Sequence, residues 1–327
     1  MSQETAIVVA SGSKIVAEEA YSMMTMPSPY TLPDGNVQIA FSGGRTSAYM
    51  LHHILEANGP LPERVVVSFQ NTGREMPQTL DFVQECSERW DVPVVWLEYR
   101  LRWTGAPHDV KNKVFDTKAH QFEIVNHNSA SRDGEPMEQL LEFYGFIPTA
   151  ISRWCTGRLK IKTAAAYVKS MGWHEWTIAT GIRADEKTRA KHDGKKLDRN
   201  WLWHPLYRAG VTKEDVKRFW DSQPFDLRLP NLKGKTLLGN CDGCFLKSEA
   251  SRAMLVRDYP ERAAWWHGLE EKYKGKRAAL NKGSPESDTF NKKASWAALT
   301  ETVNNQKEWI FDVEGHLCQA DDGECTG

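Results

Sequence analysis

Two groups of residues in this 327-residue chain have the types and spacing for chemistry. The first is Ser42-Gly43-Gly44-Arg45-Thr46-Ser47. Paired glycines let the backbone turn sharply and bring its N–H groups close to an anion. The hydroxyls of Ser42, Thr46 and Ser47 add donors, and a helix starting there points its positive dipole end at the same spot. The second group is Cys241-Asp-Gly-Cys244, whose spacing puts two thiolates on one centre, with Cys155 the best third thiol. Such thiolates ligate zinc or an iron–sulfur cluster; ordinary thiols in a tight turn are the remaining reading. Neither the Gly-x-x-x-x-Gly-Lys-Ser/Thr loop nor the three-glycine dinucleotide fingerprint is present.

These groups need elements to position them. Val37, Ile39 and Phe41 alternate with smaller residues ahead of the glycines, and Ala48 to Leu55 resumes at helical spacing. The turn therefore joins a buried strand to a helix. Further strand-like runs at Val65–Phe69, Val92–Leu97 and Trp176–Ala179 alternate with helical patterns. This predicts an α/β fold, a doubly wound and mostly parallel sheet with a helical C-terminal extension. Ligands of such sheets bind beyond the carboxyl ends of the strands. The loops carrying Ser42–Ser47, Asn71–Arg74 and Gly181–Arg189 should then converge on one crevice. The expected divisions are a leader at 1–35, a main domain at 36–248 and a helical region with a tail at 249–327. A polar insertion over 102–148 is expected to cap the site, and helices are expected at Glu249–Tyr273 and Ala294–Gln306.

Forty per cent apolar and 26% charged residues describe an ordinary globular protein. No apolar run approaches the ~18–20 residues of a membrane span, and the N-terminus lacks the pattern of a secretory signal. Six cysteines in a chain of this size point to metal or redox chemistry in a reducing compartment, by default the cytoplasm. The net charge of −1 conceals a basic segment: residues 153–218 hold sixteen Lys/Arg against seven Asp/Glu. A face for a polyanionic substrate, nucleotide or nucleic acid is the reading favoured over a solvated surface. Cys86 reads as a small core residue, and packing or solvent exposure accounts for His52 and His53.

Ser-Gly-Gly-x-x-Ser after a strand resembles the PP-loop of the ATP-pyrophosphatase and sulfonucleotide-reductase superfamily. Asn71-Thr72-Gly73-Arg74 resembles the Asp-Thr-Gly-Arg segment of phosphoadenylyl-sulfate and adenylyl-sulfate reductases, with Asn71 where they usually have Asp. Trp154-Cys155-Thr-Gly-Arg158-Leu-Lys160 resembles their Cys-Cys-x-x-Arg-Lys element, and Gly181-Ile-Arg183 to Arg189 resembles the loop that grips the acidic end of the nucleotide. Gly239-Asn-Cys241-Asp-Gly-Cys244 completes a likeness that runs from about Asn36 to about Lys247.

The resemblance implies an adenine nucleotide (phosphoadenylyl sulfate, adenylyl sulfate or ATP) bound by Ser42 to Ser47, Asn71 to Arg74, Arg158, Arg183 and Arg189. It also implies a 4Fe–4S cluster on Cys155, Cys241 and Cys244, with zinc the alternative. Trp154 replaces the first cysteine of the family's tandem pair, so three thiolates remain; Cys318, Cys325, a non-cysteine ligand or an open iron would complete the set. Gly323-Glu324-Cys325 shares Glu-Cys with the family's catalytic tail motif, which implies Cys325 as nucleophile and a thioredoxin-like reductant. The alternatives are ATP-dependent sulfur insertion into nucleic acid, as in thiolation and phosphorothioation enzymes, and a non-catalytic interaction module stabilised by nucleotide or metal.

Overall fold

The computed structural model describes residues 28–102, 120–232, 234–280 and 288–305. Strands β1 (Val37–Ala40), β2 (Val65–Asn71), β3 (Val94–Leu101), β4 (His120–Val125), β5 (Trp176–Ala179), β6 (Lys196–Leu197) and β7 (Asn200–Trp203) form one sheet. Its order is β4-β3-β2-β1-β5-β7-β6. The inner five strands are parallel and the two edges antiparallel. The longer helices are α1 (Arg45–Asn58), α2 (Pro77–Arg89), α3 (Glu135–Tyr144), α4 (Thr163–Ser170), α5 (Lys213–Ser222), α6 (Glu249–Asp258), α7 (Pro260–Lys272) and α8 (Trp296–Asn305).

Successive strand residues point to opposite faces, and both faces are covered, as a parallel sheet requires. Ile39, Val67, Phe69 and Trp96 join the main core with Leu51 and Ile54 of α1, Leu80 and Val83 of α2, and Val216 and Trp220 of α5. Val66 and Trp176, with the partly buried Val95 and Ile178, instead meet Val168 of α4 and Trp173. This is the doubly wound arrangement that the alternation predicts.

Two elements differ from the sequence expectation. Part of the 102–148 stretch belongs to the sheet itself: β4 pairs with β3 from Trp96↔Val125 to Leu101↔His120. An edge strand with largely exposed side chains carries little apolar signal, so it reads as a polar insertion. Residues 103–119 lie outside the described residues. The helix expected over Glu249–Tyr273 is two helices, because Pro260 has no N–H to continue α6 and instead opens α7.

The C-terminal helices are fastened to the cysteine turn by one carboxylate. Asp242, fully buried, accepts from Arg74 Nη2 (3.0 Å), Trp266 Nε1 (2.8 Å), the Gly243 N–H (2.7 Å) and Arg262 Nε. Glu270 of α7 then accepts the N–H groups of Phe290 (2.9 Å) and Trp296 (2.8 Å), which anchors α8. Asp242→Ala leaves two guanidinium groups without their shared carboxylate and should cost about 3–5 kcal/mol in urea unfolding. A loss under ~1 kcal/mol would mean that this carboxylate does not fasten the helices.

Candidate functional site

The chain runs from β1 to β2 on one side of the sheet, while β5 lies on the other side of β1. Loops leaving β1 and β5 therefore diverge and open a crevice. Gly43 holds φ +77°, and a Cβ there would stand 2.8 Å from Thr79 Cγ2 and 3.0 Å from Val83 Cγ2. Gly44 precedes α1 without any side-chain cap, and the first-turn N–H groups of a helix point back along its axis. Ser42 Oγ lies 2.9 Å from Ser47 Oγ, which donates to the Gly44 carbonyl at 3.0 Å. The arginine loop reaches this turn: Arg183 Nη1 donates to Thr46 Oγ1 at 3.4 Å. Arg183 is 2% exposed and pairs with Asp185 at 2.9 Å, and Arg189 pairs with Glu186.

Not every residue of these segments faces the crevice. The Arg45 guanidinium is turned away from the glycine turn's hydroxyls and engaged elsewhere. It binds Asp226 through Nε (2.6 Å) and Nη2 (2.5 Å), Thr236 Oγ1 at 2.7 Å and the Leu227 carbonyl at 2.6 Å. Arg74 pairs with Asp242 and lies under Trp265, 4.4 Å from the ring centroid. Asn71 is a fully buried brace, donating to Glu98 Oε1 (2.6 Å) and the Ser131 carbonyl (2.8 Å) while accepting from the Gly73 N–H (3.1 Å). Burial pushes the Glu98 carboxyl above the usual carboxylate range. Thr72 donates to Glu75 at 2.8 Å and stands 3.2 Å from Cys241 Sγ. Gly73, at φ +80°, lies against Pro136 and Gly134.

The cysteine turn docks on that same loop. Glu75 and Cys241 form an antiparallel bridge, and the Asp242 N–H donates to the Arg74 carbonyl at 2.9 Å. Leu238 and Asn240, just ahead of Cys241, hold left-handed φ values of +63° and +53°. Such strain collects at functional sites. Gly243 is required by contact, since a Cβ would stand 2.2 Å from Trp266 Nε1. Cys155 opens a π-helical segment, Thr156–Lys162, from which Lys160 Nζ donates to Asn240 Oδ1 at 3.2 Å. Trp154 stacks on Tyr144 at 4.5 Å, and Arg158 Nε donates to the Tyr144 hydroxyl at 3.2 Å.

Cys155 and Cys244 are buried and Cys241 is partly exposed, a donor set of three thiols that suits zinc or an iron–sulfur cluster. Cys86 is fully buried, and burial pushes its thiol far up, as befits a core residue. Cys318 and Cys325 lie outside the described residues. Glu75, Glu98, Asp226 and Asp242 have no role in the sequence reading. Asp242, enclosed between two candidate ligands, was the one with a signal in its position.

A glycine turn at the switch point of a parallel sheet, an arginine loop touching it and a cysteine turn on the next loop define an α/β protein of the PP-loop kind. The chain belongs to the phosphoadenosine phosphosulfate reductase family, whose domain matches residues 36–226. It is 31% identical over 222 residues to the uncharacterized nin region protein ORF290 of Escherichia phage lambda, covering 67% of this chain and 69% of that protein. Among solved structures, the U34-tRNA thiolase NcsA from Methanococcus maripaludis with its 4Fe-4S cluster overlaps 88% of this chain and 87% of its own. The identity is 11% and the TM-score 0.33, too loose a likeness to carry chemistry across.

Gly43→Ala forces a Cβ into left-handed backbone and against Thr79. It should destabilise the fold by about 1–3 kcal/mol and abolish nucleotide binding in calorimetric titration. Unchanged binding would remove the turn from the site.

Proposed function

We propose that this protein binds an adenine nucleotide at the glycine turn and performs sulfur chemistry beside it, in the first instance reduction of an adenylyl sulfonucleotide to sulfite. One observation carries the reading: Arg183 touches Thr46 while the Asn71–Arg74 loop touches the Cys241 turn, so anion donors and sulfur ligands share one end of the sheet. Ser42, Gly43, Gly44, Thr46 and Ser47 would bind the phosphate or phosphosulfate through N–H and hydroxyl groups. Arg158, Arg183 and Arg189 would balance its charge; Glu186 holds Arg189, and Asp185 and Glu186 hold Arg183, in place meanwhile.

Cys155, Cys241 and Cys244 would hold a 4Fe–4S cluster, which when bound would tune the site's electrostatic field rather than carry the reducing electrons. The Cys325 thiolate would attack the sulfonyl sulfur. An S–S bond forms, and the S–O bond to the phosphate breaks with its electron pair leaving on the nucleotide. A thioredoxin-like dithiol then attacks the Cys325 sulfur; sulfite departs with the electron pair and the dithiol ends as a disulfide. Cys325→Ser should stop sulfite release and spare nucleotide binding. Anaerobically purified protein should be brown with about four irons, and Cys241→Ser should be colourless. Full activity of Cys325→Ser, or iron-free wild-type protein, would end this mechanism.

A second reading, ATP-dependent insertion of sulfur into nucleic acid, is favoured by the charge around Cys155. From Ile147 to His174 there are five Lys/Arg and no Asp or Glu. The pKa of Lys162 is pushed down first by Arg158, with burial and Lys169 adding, so like charges crowd one stretch of helix beside a candidate metal ligand. A polyanion would relieve that crowding. In fluorescence anisotropy with a labelled oligonucleotide, Lys162→Glu/Lys169→Glu should weaken binding roughly tenfold or more and reduce the salt slope by about two. Binding that ignores both charges would count against a nucleic-acid acceptor.

A further inference from the structure

Away from the crevice, α1 carries a different group of metal-binding side chains. Among the described residues, His52, His53 and Glu56 are the one set of three or more His, Cys, Asp or Glu whose ligand atoms all lie within 4.8 Å of one another. Glu56 Oε2 is 2.7 Å from His53 Nδ1 and 3.4 Å from His52 Nδ1. A tetrahedral ion with bonds of ~2.0–2.2 Å separates its ligand atoms by roughly 3.3–3.6 Å. Small rotations of the Glu56 and His53 side chains would reach that spacing.

Two further observations single this set out from an ordinary surface ion pair. His52 Nδ1 is shielded from solvent and faces Glu56 Oε2 at 3.4 Å without making a hydrogen bond. The rings are also held in place. Trp90 and Phe219 stand edge-on to His52 at 5.3 and 5.0 Å, while Tyr30 and Tyr49 flank His53 at 5.2 and 4.3 Å. Ligands oriented by surrounding packing lose less freedom on binding an ion. Two imidazoles and one carboxylate suit zinc, nickel or copper, whereas magnesium and calcium prefer all-oxygen sets.

We propose that His52, His53 and Glu56 form a divalent transition-metal site of the zinc type, separate from the cysteine centre, with water completing the coordination. It lies about two turns along α1 from the glycine turn, and Phe219 of α5 packs on both histidines. An ion there would brace the helix whose first residues shape the anion crevice.

Cobalt tests this directly, because its spectrum reports the ligand type. Anaerobically purified full-length protein, freed of loosely held metal by a chelator, is titrated with Co²⁺. The expected result is d–d absorption without thiolate charge transfer, retained in Cys241→Ser. Glu56→Ala and His53→Ala should each weaken it at least tenfold, leave any thiolate band unchanged and keep the wild-type far-ultraviolet circular dichroism. Glu56 is 58% exposed, so its replacement spares the fold. Equal Co²⁺ binding by both variants, or cobalt bands that all carry thiolate charge transfer, would overturn the site.

Discussion

One buried carboxylate organises the sulfur side of the crevice. Asp242 lies between Cys241 and Cys244, and its two oxygens collect two guanidinium groups, an indole N–H and a backbone N–H from separate parts of the chain. An unpaired charge at full burial is costly, so these donors cannot disperse independently. The Asn71–Arg74 loop, the cysteine turn and α7 are thereby fixed as one body. The geometry of the thiols is then inherited from the packing of Trp265 and Trp266 against Gly134, Arg74 and Gly243, rather than from the cysteines' own turn.

The opposite wall is built differently. Its arginines are held in reserve by local acids two or three residues away, Asp185 and Glu186, while Arg183 also reaches Thr46. Arg183 is itself buried, so this wall too is held by burial, but its carboxylate pairing is local in sequence where that of Arg74 is long-range.

Much of this was readable before any coordinates, where the information is local. The alternation Val37-x-Ile39-x-Phe41, the glycine pair and the resumed helical spacing define β1, the turn and α1 within twenty residues. Long-range facts were not readable. Arg45 adjoins the glycines and so resembled a ligand, yet its partner Asp226 lies 181 residues away. The partner of Arg74, Asp242, is likewise 168 residues distant. β4 carries little sequence signal because its exposed edge position dilutes the apolar period. Proline, by contrast, acts locally: the break at Pro260 was there to be seen.

The π-helical segment that follows Cys155 has a consequence for how this site can change over generations. Its i→i+5 pairing accommodates one residue more than an α-turn does, so Thr156–Lys162 amounts to a helix with a single insertion. Loss of one of those seven residues would let the segment relax into ordinary α-helix with the turns on either side still in register. A one-codon gap elsewhere between Cys155 and α4 would instead rotate Cys155 and the Trp154–Tyr144 stack by about 100° relative to the sheet.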